Sequence, residues 1–231
     1  TDPGTCAASR CSAFHLVISS PGTAKPKRIA FGTAGGESVV VPDLSVDREG
    51  GVTVFWSQTG SGLNAVYCSA ARCGKDAVLD PDSSLESATT DGSGRTLAVW
   101  RTKTKRGPRL KASFGARGRF ARPQVLATSG GRPAVGVSGS RFVAMWPAPG
   151  VIRAATLSGT VLGRPRTVFA EPTDAGLPVD LQVRGTTKGF VAAWHEPEND
   201  RSVRTLDLSR NGRTTASGRY ALTPGRLTLL A

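Results

Sequence analysis

Acid is what this sequence has least of where it matters. From Gly92 to Ala170 there is no Asp or Glu, yet that span carries 15 of the chain's 30 Lys and Arg residues. The rest of the chain holds 15 basic and 17 acidic residues, so the formal charge of +13 originates in this one sector. Such a balance speaks to partners rather than fold, and it favours anionic ones. Histidine is nearly absent, with only His15 and His195. No Gly-x-Ser-x-Gly elbow accompanies them, so no Ser-His-acid hydrolase is legible. No Asp-x-Asp-x-Asp-Gly loop is present for calcium. No catalytic residue, metal ligand or cofactor is assigned. No run of eighteen apolar residues occurs, which excludes a transmembrane helix, and no stretch of ten or more residues keeps helical spacing. The chain starts Thr-Asp-Pro without Met, and the expectation is a processed chain whose signal peptide is already gone.

Cysteine is almost as scarce, and its placement is informative. The four residues form two pairs of one spacing, CAASRC (Cys6 and Cys11) and CSAARC (Cys68 and Cys73). Structural zinc knuckles usually leave two to four residues between ligands and turn on glycine, which both stretches lack. Two local disulfides in an oxidising compartment are the expected state, with a four-Cys zinc site and free thiols as the alternatives.

What is present is a repeat. Trp56, Trp100, Trp146 and Trp194 are spaced 44, 46 and 48 residues apart and end the similar segments GGVTVFW, GRTLAVW, SRFVAMW and KGFVAAW. Each follows a short alternating run and a turn. Each is followed by a third strand-like run (LNAVYCSAA, PRLKASFGA, VIRAATLSG, SVRTLDLSR) and a fourth (GKDAVLD, RFARPQVLA, LGRPRTVFA, ASGRYALTP). Gly at 28 and Pro at 15 suit this density of turns. Four antiparallel strands at this period predict the blades of a β-propeller. The predicted fold is all-β, one domain, with about five four-stranded blades. A partial hairpin spans 1–30, and full blades span 31–83, 84–130, 131–176 and 177–231. Ring closure by the terminal strand Leu227 to Ala231 against the N-terminal hairpin would remove open edges; a piece of a longer propeller is the alternative. The four Trp residues are expected in the core between blades. Cys68 and Cys73 flank the turn between the third and fourth strands, where later blades carry Gly (FGARG, LSGT, SRNG).

The repeat resembles a broad set of secreted bacterial β-propellers, in which an apolar strand ends in an aromatic residue and a hairpin is often closed by Cys, four residues, Cys. The resemblance implies the fold and export to the extracellular space. It carries no catalytic residues.

The densest charge lies at RTKTKRGPRLK. Arg101, Lys103 and Lys105 alternate, as do Arg109 and Lys111 beyond a turn, and alternation on a strand shares a face. With Arg106, Arg117, Arg119 and Arg122 they form the candidate binding patch. The expected partner is an anionic polysaccharide or wall polymer, or an acidic protein subunit of an extracellular assembly. Nucleic acid fits poorly, because Phe114 and Phe120 sit at apolar strand positions rather than as stacking platforms and no recognition motif is present. The expected role is a non-catalytic binding module. A propeller lectin for neutral glycans is one alternative. The other is a propeller-type glycosidase or lyase, which requires a carboxylate pair in the central channel. WHEPEND, with Glu196, Glu198 and Asp200, reads as a solvated turn.

Overall fold

The computed structural model describes residues 13–18, 27–32, 39–58, 62–69, 72–81, 83–170, 178–196 and 199–221. Among these residues there are strands and no helices. A hairpin of β1 (Ala13–Ile18) and β2 (Lys27–Gly32) makes a sheet by itself. The first large sheet runs β3 (Val39–Val46), β4 (Val52–Gln58), β5 (Gly62–Cys68), β6 (Ala77–Asp80). The second runs β7 (Ser83–Thr90), β8 (Arg95–Thr104), β9 (Gly107–Ala116), with β10 (Arg119–Phe120) and β11 (Gln124–Ala127) both paired to β9. The third runs β12 (Ala134–Ser138), β13 (Arg141–Ala148), β14 (Val151–Ser158), with β15 (Val161–Leu162) and β16 (Arg166–Ala170) both on β14. The fourth is β17 (Val179–Gly185), β18 (Gly189–Glu196), β19 (Asn199–Ser209) and β20 (Thr214–Ala221).

Every large sheet is an antiparallel meander, and the first strands neighbour one another in the order β3, β7, β12, β17. The reason lies in the Trp-ending segments. In β8, Leu97 and Val99 pack toward the third sheet while Ala98 and Trp100 pack toward the first. A strand apolar at every position is buried on both faces, and the second sheet accordingly lies between the first and the third, and the third between the second and the fourth. Trp100, Trp146 and Trp194 are fully buried and Trp56 is 6% exposed, as the repeat predicts. Phe114 stacks edge-on against Phe142 at 5.3 Å and Phe120 against Phe55 at 5.8 Å, which places both in core contacts.

Two fourth strands break in the middle. Pro123 and Pro165 fall between β10 and β11 and between β15 and β16. Proline has no N–H for the ladder and is confined to edges and interruptions. Cys68 and Cys73 are bonded across the turn after β5, which leaves no zinc ligand at this pair. The corresponding turns of the other sheets use Gly118 (φ 79°), Gly159 (φ 65°) and Gly212 (φ 69°), conformations that L residues rarely adopt. The hairpin β1–β2 pairs only within itself, and no sheet among the described residues combines strands from the two ends of the chain. Among the described residues there are thus four large sheets and a separate hairpin, and no fifth blade or closure is seen. Cys6, Cys11 and the strand Leu227 to Ala231 lie outside the described residues.

Candidate functional site

The first strands do not run straight. The register of β7 slips between Leu85 and Ser87, leaving Glu86 as the extra residue. That of β17 slips between Val179 and Gln182, across Asp180 and Leu181. A bulge bends the strand and re-aims a side chain. Glu86, Arg132 and Asp180 each stand fourteen residues before the Trp of their own sheet, and all three line one cleft. The cleft, of about 540 Å³, is walled by β7, β12 and β17 and also takes in Gln182 and Arg184.

Charge is arranged unevenly inside it. Glu86 has a side chain only 13% exposed; its Oε1 accepts from Arg101 Nε at 2.8 Å, and its Oε2 lies 3.4 Å from Arg132 Nε. Arg132 and Arg184 are exposed. Asp180 is exposed, holds a φ of 52°, and has no hydrogen bond or ion pair among the described residues. Donors and acceptors thus face a common space from three strands.

The sequence-predicted basic patch does not form one face. Trp100 is paired with Lys111 and Thr102 with Arg109, whereas Arg101 is opposite Leu110 and Lys103 opposite Pro108. Paired residues of an antiparallel ladder share a side. Arg101 and Lys103 therefore look toward the third sheet, and Arg109 and Lys111 toward the first. The pattern misled because the two-residue turn at Lys105–Arg106 sets the register, and one residue of register exchanges the faces. Three of the nine are also engaged: Arg101 with Glu86, Lys111 with Asp80 at 2.7 Å, and Arg117 with Glu49 at 2.8 Å. Arg117 and Arg119 lie at the far end of β9, beside the turn after β7, and Arg122 follows β10. What remains together is the tip of the β8–β9 hairpin: Lys103, Lys105 and Arg106, all exposed, with Arg109 half-buried. β7 begins at Ser83 opposite Thr102, so this tip projects at the end of the sheet where Glu86 lies.

Buried acids elsewhere are structural. Asp80 is 4% exposed and accepts from Trp100 Nε1 at 3.0 Å, Thr102 Oγ1 at 2.9 Å and Lys111 Nζ at 2.7 Å, binding the first sheet to the second. Asp47 and Asp91 close the turns between first and second strands. Asp47 Oδ1 accepts from the N–H of Gly51 at 2.7 Å, and Asp91 Oδ1 from that of Arg95 at 3.0 Å. Glu196 is no solvated turn residue: it accepts from Ser202, Arg204 and Arg219. Burial alone would raise its pKa, but these three donors outweigh that and hold it below the usual carboxylate range. Of its neighbours in WHEPEND, Glu198 is outside the described residues. Among the described residues no cluster of His, Cys, Asp or Glu is arranged to hold a metal.

Glu86, Arg132, Asp180, Gln182 and Arg184 escaped the sequence reading. The signal that finds Glu86, Arg132 and Asp180 is their constant offset from the Trp ruler, which charge density alone obscured.

No protein-family model matches the chain, and no curated protein does. Among solved structures, the chain is similar to a member of the GH130 family of mannoside phosphorylases, which contains glycoside hydrolases that target beta-1,2 mannosidic linkages in Candida mannan. That match has 13% identity and a TM-score of 0.44, covering 76% of this chain and 68% of the other. It is also similar to a glycosyl hydrolase from Bacteroides ovatus, with 11% identity and a TM-score of 0.40, covering 76% and 69%. Likeness at this level assigns neither a family nor an activity.

Proposed function

We propose that the chain is a secreted, non-catalytic binding module that holds an acidic polysaccharide. The sugar backbone lies in the cleft between β7, β12 and β17, and its anionic groups meet the β8–β9 hairpin tip. The observation that carries this reading is the coincidence of the two features at one end of the second sheet. Hydroxyl-rich ligands need donors and acceptors in alternation, and Glu86, Arg132, Asp180, Gln182 and Arg184 offer both. Lys103, Lys105 and Arg106 add long-range attraction that salt screens. The Cys68–Cys73 bond suits an oxidising compartment.

A glycosidase is the second reading, and one observation favours it: two carboxylates, Glu86 and Asp180, line the same cleft. Against it, both oxygens of Glu86 face guanidinium groups, which leaves this carboxylate poorly placed to deliver a proton.

The test is retention on acidic-polysaccharide, neutral-glycan and bare matrices across a salt gradient, with a Lys103→Ser, Lys105→Ser, Arg106→Ser variant alongside. Retention on the acidic matrix, lost by about 0.3 M salt and weakened in the variant, is expected. Salt-resistant retention on the neutral glycan sinks the acidic reading in favour of a neutral lectin. Release of reducing sugar from any matrix sinks the non-catalytic one. No retention sinks both and points to a protein partner.

A further inference from the structure

Asp180 differs from its counterparts in a way the fold does not require. In the second sheet, the residue fourteen before the Trp is Glu86 and the residue just after it is Arg101, and the two form an ion pair of 2.7 Å. In the fourth sheet the same two positions are Asp180 and His195, and Asp180 pairs with nothing among the described residues. The register sets His195 opposite Val179, beside the bulge that contains Asp180. The Nδ1 of His195 is buried and also without a partner. Arg132 and Arg184 line the same cleft, yet neither reaches Asp180 within ion-pairing distance. The backbone of Asp180 is left-handed, at φ 52°. Asp and Asn enter this region more readily than other residues with a side chain, but mainly in turns, and such positions on a strand cluster where ligands are contacted.

We infer that Asp180 is the ligand-contacting carboxylate of the cleft, accepting two hydrogen bonds from the adjacent hydroxyls of an uncharged sugar unit. This rests on the polysaccharide reading above and deepens it. A carboxylate here repels acidic substituents. The unit on Asp180 is therefore neutral, and the acidic groups of the polymer fall toward Lys103, Lys105 and Arg106. A ligand acidic at every unit does not fit.

Two substitutions separate contact from structure. Asp180→Asn keeps the size of the side chain and tolerates the left-handed backbone, but replaces one strong acceptor with a donor. It is expected to fold as the parent does and to bind the retained polysaccharide about tenfold or more weakly. Asp180→Gly relieves the backbone; it is expected to unfold at a higher temperature than the parent and to lose binding. A third arm treats the polysaccharide with periodate, which breaks the C–C bond between carbons bearing adjacent hydroxyls to give two aldehydes, is itself reduced to iodate, and leaves carboxylates and sulfates intact. The parent protein is expected to bind the treated polymer no better than Asp180→Asn binds the intact one. Parental affinity in either variant, or a melting temperature for Asp180→Gly at or below the parent's, overturns the inference while the cleft reading stands. A parent protein that binds no polysaccharide removes both together.

Discussion

Replacing Asp80 by Asn tests whether the first two sheets are bound through one buried carboxylate. Asp80 is 4% exposed and receives Trp100, Thr102 and Lys111 on its Oδ2. The carboxamide keeps the volume and one acceptor, so the neutral hydrogen bonds can survive. The countercharge of Lys111 does not, and the Lys111 side chain is only 23% exposed. Removing one member of a buried pair costs about 3–5 kcal/mol. Lys111 can swing its ammonium outward on a long stem, which brings the expected loss to about 2–3 kcal/mol. Asp80→Ala also orphans the Trp100 N–H, adding about 1–3 kcal/mol. The assay is urea unfolding followed by Trp fluorescence, repeated in a Lys111→Met background, where Asp80→Asn is expected to cost clearly less. The pH dependence supplies a second check. Burial by itself raises the Asp80 pKa, but the donors Lys111, Trp100, Ser83 and Thr102 outweigh it and hold the carboxyl well below its ordinary 3.8. A depressed carboxylate stabilises fully above its unfolded value and loses that contribution as pH falls toward its folded one. The stability gap between parent and Asp80→Asn is thus constant above about pH 5 and narrows below pH 4. A loss under about 0.5 kcal/mol at neutral pH, or a gap independent of pH, refutes the argument.

The remaining predictions concern the hairpin staple and the indoles. Cys68→Ser with Cys73→Ser, which opens a loop with a sequence separation of 5, is expected to cost about 2 kcal/mol by loop-closure entropy. Thermal unfolding of the variant against the parent, both without reductant, measures that loss. Trp100→Phe is expected to cost about 1–2 kcal/mol more than Trp146→Phe. The first gives up a hydrogen bond to Asp80, whereas the Nε1 of Trp146 is buried without a partner. Equal losses in urea melts would show that the Asp80 bond contributes nothing net.

The sheets were legible in the sequence because each depends on a local signal. The Trp spacing sets the period, and Gly118, Gly159 and Gly212 take the positive φ that their turns require. Cys68 and Cys73 fall on a turn as their spacing predicts. The faces of the β8–β9 hairpin were not legible. Which residues lie opposite one another depends on the turn at Lys105–Arg106, and the alternation of charge is the same in either register. The broken outer strands were marked by Pro123 and Pro165, but only pairing to a common neighbour shows that each pair of fragments stays in one sheet. The cleft was hidden for a further reason. Its charged side chains come from three segments 46 and 48 residues apart, and bulges displace two of them from strict alternation.

A repeat is its own control experiment. Positions that serve only to stack one sheet on another should be filled the same way each time, and the Trp position is in all four sheets. Where equivalent positions diverge, the stacking requirement alone does not choose the residue. The slot fourteen before each Trp holds a charge in three sheets, yet the charge is negative, positive and negative in turn. Only Glu86 is neutralised by a neighbour in its own sheet, through Arg101. Copying that pair into the fourth sheet would have given the carboxylate a guanidinium partner, as Arg101 gives Glu86. The chain instead keeps an unpaired carboxylate beside exposed guanidinium groups in a single hollow. A carboxylate left without a partner at such a slot is better accounted for by something that enters the hollow than by the folding of the sheets around it.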